Sequence, residues 1–517
     1  MSPTGRGGNG KPQATDLPEL DVESLSRVTQ EHVSGLFGRD SMYMVLWALQ
    51  LLVAAVLTPI TTRVLAPEQF GRVAASMAVM QVVSILAGLG LQTAIQREYA
   101  SGADPRGARR LLTVTVLGAA LVVGVLDLTG PAWSGTLGFP SYAGPLRLAV
   151  FWAGLSAVTA AGLALLRSQD RLLAFAVVSL LQSVVAEVLA LGLAAVVVPT
   201  ASAFVFGQLL AQTAAVLLTM VLVPPAMVLP RHRALVESGL RYGLPLVPAM
   251  LSSFVLGAFD RLVIQHDLGS TVVARYQIAY NIGSAPMLLL GVLDSVWMPR
   301  IFSLGDVRLR AAVLASSRDT LYRLLVPVMV GLSLSSPLVL RVWAPPEFRP
   351  EGLLWLTSVI IISAIPYAAS LSAMRALLAQ GHSTALAVAS VTAAAANAAL
   401  NLVLVPRLGL MGAAVATLGA YALLHVLLVL RARRSLRIPR PGLRLVVLVT
   451  IGSAVAVGTC ALPTTTGWLV LRATGTLVCV TWFVAVAWRT IRPAGAGLRP
   501  DTGNGSAVTA SSSGTDL

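Results

Sequence analysis

Charge is the first thing this chain is short of. Asp, Glu, Lys and Arg make up 11% of its 517 residues, where a soluble domain carries roughly a quarter. Lysine occurs once, at Lys11. Cysteine occurs twice, at Cys460 and Cys479, and both lie in apolar runs. They read as small buried hydrophobes rather than a disulfide or metal pair. The five histidines (His32, His232, His266, His382, His425) are scattered and none forms H-E-x-x-H or another ligand spacing. Gly5 to Lys11 spell G-x-x-x-x-G-K, but Pro12 stands where Mg²⁺ binding needs Ser or Thr, and no strand precedes it. No stretch between apolar segments is long enough to fold as a catalytic domain in water. These shortages exclude a soluble enzyme, a disulfide scaffold and a nucleotide-driven motor, and they imply no metal and no cofactor.

Apolar sequence is what the chain has in excess. Hydrophobic residues make 56% and mean hydropathy is +0.79. At roughly 20 apolar residues per crossing, an all-α polytopic membrane protein follows. Fourteen apolar segments can be read near 42–62, 73–95, 111–128, 146–166, 172–198, 202–228, 243–264, 274–298, 321–340, 353–378, 384–405, 408–430, 443–462 and 467–488. Pro199-Thr200-Ala201-Ser202 is the only turn between the fifth and sixth. Pro59, Pro245, Pro248, Pro286, Pro327 and Pro366 fall inside segments and predict kinks. The first run starts only near Met42, so no cleavable signal peptide is expected. Residues 1–40 and 495–517 read as disordered tails.

The 37 basic residues outnumber the 22 acids, for a net charge of +15. In a soluble protein this excess would suggest nucleic acid. Here it sits in loops, where it encodes topology. With both termini in the cytoplasm, 28 basic residues fall inside and nine outside. The densest inner cluster is Arg431, Arg433, Arg434, Arg437, Arg440 and Arg444. Arg72 to Arg97 and Arg275 to Arg300 have the same separation at equivalent places, which suggests two parallel six-helix repeats. The expected organisation is an N-lobe at 41–238, a C-lobe at 239–431 and two further helices at 432–494.

Three stretches carry a family resemblance: "LTPITTRVLAPEQFGRVAASMAV" with "GLGLQTAIQREYA" (57–100), "YGLPLVPAMLSSFVLGAFDRLVIQHDLGSTVVARYQIAYNIGSAP" (242–286) and "NLVLVPRLGLMGAAVATLGAY" (401–421). In this order they resemble the polysaccharide transporter branch of the multidrug/oligosaccharidyl-lipid/polysaccharide (MOP) exporter superfamily, and in particular oligosaccharide-lipid flippases of the Wzx type. The resemblance implies two six-helix lobes around a central cavity, plus two C-terminal helices. It also implies a function: moving a prenyl-pyrophosphate-linked oligosaccharide across the cytoplasmic membrane for surface polysaccharide assembly. The implied partners are that substrate, membrane lipids and polymerase or other assembly proteins, without nucleotide or nucleic acid.

Such a path must be polar, partly cationic and open sideways to lipid. Charges inside spans cost ~2.5–3.5 kcal/mol each on insertion scales, so each one marks a candidate site. Asp260-Arg261 lies toward the outer end of segment 7, either lining the cavity or snorkelling to the interface. Glu187 is mid-span in segment 5 on a polar stripe with Ser179, Gln182 and Ser183. It is a coupling candidate with Asp260, or a residue hydrogen-bonded to Gln182 or a neighbouring helix. Gln277, Asn281 and Ser284 share one face of segment 8, and Gln81 and Ser84 share one face of segment 2. These neutral groups suit sugar hydroxyls or interhelical packing. Arg63, Arg97, Arg300 and Arg375 join Arg261 as candidate phosphate forks, set against a plain topology role. Asn397 and Asn401 read as packing residues.

Two other classes compete. A drug or cation antiporter of the same superfamily wants an acidic cavity, but arginines dominate the span ends. A multi-span glycosyltransferase or polymerase wants carboxylates in a large outer loop, and the loop after segment 1 offers only Glu68.

Overall fold

The computed structural model describes residues 41–102, 104, 106–302, 307–432 and 439–491. Both expected tails, and Arg433, Arg434 and Arg437 of the basic cluster, lie outside the described residues. The chain begins with α1 (Ser41–Val64), α2 (Pro67–Gly88), α3 (Leu91–Ser101), α4 (Gly107–Leu128), α5 (Pro145–Ser168), α6 (Leu172–Val196) and α7 (Ala201–Leu222). A connecting helix, α8 (Arg233–Gly243), leads to α9 (Val247–Leu268), α10 (Ser270–Gly283), α11 (Ala285–Phe302) and α12 (Val307–Trp343). Then follow α13 (Leu354–Ile362), α14 (Ala364–Ala379), α15 (Ser383–Leu408), α16 (Leu410–Ala432), α17 (Leu443–Gly458) and α18 (Thr466–Ile491). Among the described residues there is no strand.

Twelve helical stretches are long and apolar enough to cross a membrane, and they correspond to twelve of the fourteen apolar segments. Among the described residues the other two segments, 42–62 and 274–298, show the shorter apolar stretches Leu52–Val64 and Ala285–Asp294, which lie within α1 and α11. Segment 274–298 is in addition broken in two. Pro286 has no N–H to continue α10, so the helix ends at Gly283 and α11 restarts with proline in its first turn. Segment 73–95 is likewise split into α2 and α3, where Leu89 (φ 50°) and Gly90 (φ 67°) turn left-handed. The kinks expected at Pro245, Pro248 and Pro366 do not form, because those residues stand in a 3₁₀ turn or the first turn of a helix. Pro59 and Pro327 do lie inside helices. The Pro199–Ser202 turn holds: Thr200 caps α7 by accepting from the Ala203 N–H at 3.3 Å.

Large apolar side chains face outward along the helices, among them Val196 at 85% and Leu121 at 68% exposure. A surface of this kind fits hydrocarbon, not water. Inside, the buried residues divide unevenly. One apolar core joins α2, α5 and α7 to α9, α10, α12 and α13, and so crosses between the first and second halves. It lies toward the ends of the helices near Thr62, Gly138, Ser270 and Trp343 (the Thr62 end). Toward the opposite end, near Tyr242, each half has its own core. Leu91, Leu111, Leu165 and Phe175 belong to the first, and Leu290, Leu321, Leu371 and Leu428 to the second. The halves are thus fused at one end and separately packed at the other. Helices α17 and α18 pack on α12, outside both cores.

Candidate functional site

Helices α9 and α10 form a hairpin around Gly269, so residues equally far from that turn meet at one level. Arg261 precedes Gly269 by as many residues as Gln277 follows it, and the two bond: Arg261 Nε donates to Gln277 Oε1 at 2.6 Å. Asp260 Oδ1 accepts from the Arg261 backbone N–H at 2.8 Å and from Arg261 Nη1 at 2.9 Å. Tyr276 OH donates to Asp260 Oδ2 at 2.5 Å. Arg261 Nη1 also donates to Gly257 O at 2.7 Å, and its guanidinium lies 4.1 Å from the Tyr280 ring centroid. Gln277 Nε2 donates to Asn281 Oδ1 at 2.5 Å. Asp260 and Arg261 are 2% and 7% exposed, whereas Gln277, Tyr280 and Asn281 are half-buried. A buried ion pair therefore lies behind a wetter polar face. Along α9 it is roughly 10 Å short of the Thr62 end, at 1.5 Å per residue.

A second pair lies deeper toward the other end. Arg375 on α14 is fully buried and donates through Nε to Asp294 Oδ1 on α11 at 2.6 Å, with Nη1 to Ser317 Oγ on α12 at 3.3 Å. Tyr367 and Tyr421 pack edge-to-face at 5.3 Å in the same half. The second half thus holds two arginine–aspartate pairs.

The first half is different. Glu187 accepts from Gln208 Nε2 on α7 at 2.8 Å, and Gln212 Nε2 donates to Thr159 Oγ1 at 2.7 Å. A π-helical turn, Leu181–Val185, immediately precedes Glu187. The partner of Glu187 is thus Gln208, on a neighbouring helix, and not Gln182 on its own.

Of the residues singled out in the sequence, the structure brings Asp260, Arg261, Gln277 and Asn281 together. Ser284 is buried just beyond them, at the end of α10. On α2, Ser84 is half-buried and Gln81 exposed. Arg63 is exposed and bonds its own helix at Pro59 O. Arg97 is exposed over the Tyr242 ring at 4.6 Å. The Arg300 side chain lies outside the described residues. Asn397 and Asn401 are buried and bond each other at 3.1 Å. Cys460 and Cys479 are free thiols, half-buried and buried. Sequence reasoning missed Tyr276, Tyr280, Asp294 and Gln208. Tyr276 and Tyr280 carry a legible signal, since they lie one helical turn apart on α10, either side of Gln277 and level with Asp260.

Comparison with known proteins agrees with this architecture. Residues 60–345 match the model of a family described as polysaccharide biosynthesis protein. No curated protein matches the chain in sequence. Among solved structures, a lipid II flippase, MurJ, in an inward closed conformation superposes with TM-score 0.66 at 14% identity, over 86% of this chain and 99% of that one. An inward-facing multidrug resistance MATE family transporter of the MOP superfamily gives 0.61 at 15%, over 82% and 99%. An outward-facing structure of such a transporter gives 0.54 at 15%, over 82% and 96%. At these identities the likeness establishes a shared fold.

Proposed function

The chain belongs to the polysaccharide biosynthesis protein family, and from that premise we propose that it is a flippase for a prenyl-pyrophosphate-linked oligosaccharide in the cytoplasmic membrane. The observation that carries this reading is Arg261, buried within its span about two turns from the end of α9, beneath the half-buried amides of Gln277 and Asn281. A guanidinium presents a planar fork to a diphosphate, and primary amides suit sugar hydroxyls. Asp260 neutralises Arg261 at rest, which keeps the empty site affordable in a low dielectric. An arriving diphosphate exchanges with Gln277 at Nε while Asp260 still holds Nη1. Arg375 supplies a second level of the same chemistry, with Arg300 as a further candidate at the inner end.

In this reading the Thr62 end faces outward and both termini are cytoplasmic, as the loop arginines prescribe. A molecule fused at its outer end and separately packed at its inner end is in its inward-facing state. The better superposition on inward-facing than on outward-facing transporters supports this. The lobes at 41–238 and 239–431 then rock to present the site to either side, with 432–494 riding on α12. The membrane potential is worth ~2.3 kcal/mol per charge per 100 mV, and Glu187 is the candidate group for ion coupling. Consumption of the product by assembly enzymes outside would also pull transfer forward.

The test is leaflet transfer of a defined prenyl-diphosphate oligosaccharide in reconstituted vesicles, with and without Na⁺ and pH gradients. Protein-dependent transfer is expected. No transfer of any prenyl-linked sugar, together with uptake of cationic dyes, would replace this reading with the drug antiporter.

A further inference from the structure

Among the described residues, two side-chain hydrogen bonds cross the seam at the fused end, one from Gln265 and one from Thr62. Gln265, near the end of α9, is 4% exposed. Its Nε2 donates across to Gly138 O, in the α4–α5 connection of the other half, at 3.0 Å. Its Oε1 accepts from Ser270 Oγ at 3.0 Å, at the start of α10. Ser270 is also the residue on which α2 closes, since a Cβ built on Gly71 would lie 1.7 Å from Ser270 O and 2.5 Å from its carbonyl carbon. Gly138 takes φ +77°, and a Cβ there would lie 2.5 Å from His266 Cα. A second crossing is made by Thr62 Oγ1, which donates to Trp343 O at 2.6 Å, and Phe70 packs edge-on against Phe348 beside it.

We propose that Gln265 is the latch of this closure: one amide that grips the first half at Gly138 and sets Ser270 as the flat seat for Gly71. The physical case has three parts. First, both ends of the amide are used, one across the seam and one within its own half. Rotating it away therefore releases the grip and frees the seat together. Second, the acceptor across the seam is a backbone carbonyl, which cannot turn to follow a departing partner. Third, the seat tolerates no side chain, so backbone meets backbone only when the halves are fully shut. Opening this end means breaking the Gln265 and Thr62 bonds and parting the apolar core behind them. Identifying the latch with the outer gate rests on the orientation given above; the latch itself does not.

Electron–electron resonance distances between spin labels at Thr136→Cys and Glu347→Cys, two exposed positions on opposite sides of the seam, provide the test. Cys460 and Cys479 are replaced by Ala in the full chain, which is reconstituted in lipid without substrate. One closed population is expected for the parent. Gln265→Ala should raise the ratio of long to short distances about five-fold, the loss of one net hydrogen bond. Gly71→Ala should raise it more than ten-fold, because its methyl group would overlap the Ser270 carbonyl. Gly192→Ala, at a position open to space, should leave the ratio unchanged and reports on the fold. Parent-like distances in both Gln265→Ala and Gly71→Ala would overturn the proposal. If either variant fails to reconstitute, Ser270→Ala replaces it, and parent-like distances there count against the latch equally. Since no substrate is present, a shift in distances without oligosaccharide transfer would uphold the latch and reject the flippase. Transfer without a shift would do the reverse.

Discussion

The two halves fill equivalent interiors with different chemistry. The α9–α16 half holds two arginine–aspartate pairs: Asp260–Arg261, buried and braced by Tyr276, and Asp294–Arg375, buried on its arginine side. The α1–α7 half buries amides and one acid, with Gln208 on Glu187 and Gln212 on Thr159. Among the described residues, the buried arginine–aspartate pairs at these levels, Asp260–Arg261 and Asp294–Arg375, lie in the second half. The first half holds a carboxylate, Glu187, whose hydrogen-bond partner among the described residues is a neutral amide, Gln208. Pairing also explains how four charges stay inside spans, because an unpaired one would cost several kcal/mol.

The largest effect should come from breaking a pair in the second half. Arg375→Ala leaves Asp294 without its cation, and a loss of about 3–5 kcal/mol is expected from removing one partner of a buried pair. Thermal unfolding in detergent measures it. Replacing both partners with apolar residues, Arg375→Met with Asp294→Leu, should recover most of that loss, which no account of Arg375 as a mere topology signal predicts. A middle effect belongs to Tyr276→Phe: the Asp260 carboxylate loses one charge-assisted bond, for about 1.5–3 kcal/mol, read in the same melts. The smallest belongs to the other half. Glu187→Gln keeps the shape and an acceptor for Gln208, so stability should change by less than about 1 kcal/mol. Under the coupling assignment, the variant should transfer substrate at a rate that no longer responds to an ion gradient. A response equal to the parent's would move Glu187 to a packing role and shrink the contrast between the halves.

Much of this was legible beforehand because the bilayer is a strict reader of length. Every apolar segment falls on helix, since a lipid-facing backbone has no other way to satisfy its own polar groups. Hydropathy did not reveal the breaks at Leu89-Gly90 and at Ser284, because Leu91, Ala94 and Ile95 carry the apolar run past the first and Met287, Leu288 and Leu289 carry it past the second. In the site, Arg261, Gln277 and Asn281 could be found from intramembrane charge and the spacing of four residues. Asp294 could not be matched to Arg375, because the two lie on different helices and nothing local points from one to the other. The π turn before Glu187 was also invisible. Of the two partners the sequence left open for Glu187, Gln182 or a neighbouring helix, the structure shows the second, Gln208 on α7.

The central claim is that the Arg261 fork holds the anionic headgroup during transfer, and removing both charges of its pair tests it without leaving either one stranded. In vesicles carrying Asp260→Asn with Arg261→Gln, transfer of a prenyl-diphosphate oligosaccharide should fall at least about ten-fold at matched protein, the equivalent of 1.4 kcal/mol, with an unfolding temperature close to the parent's. Transfer at the parental rate from that same double variant would contradict the account.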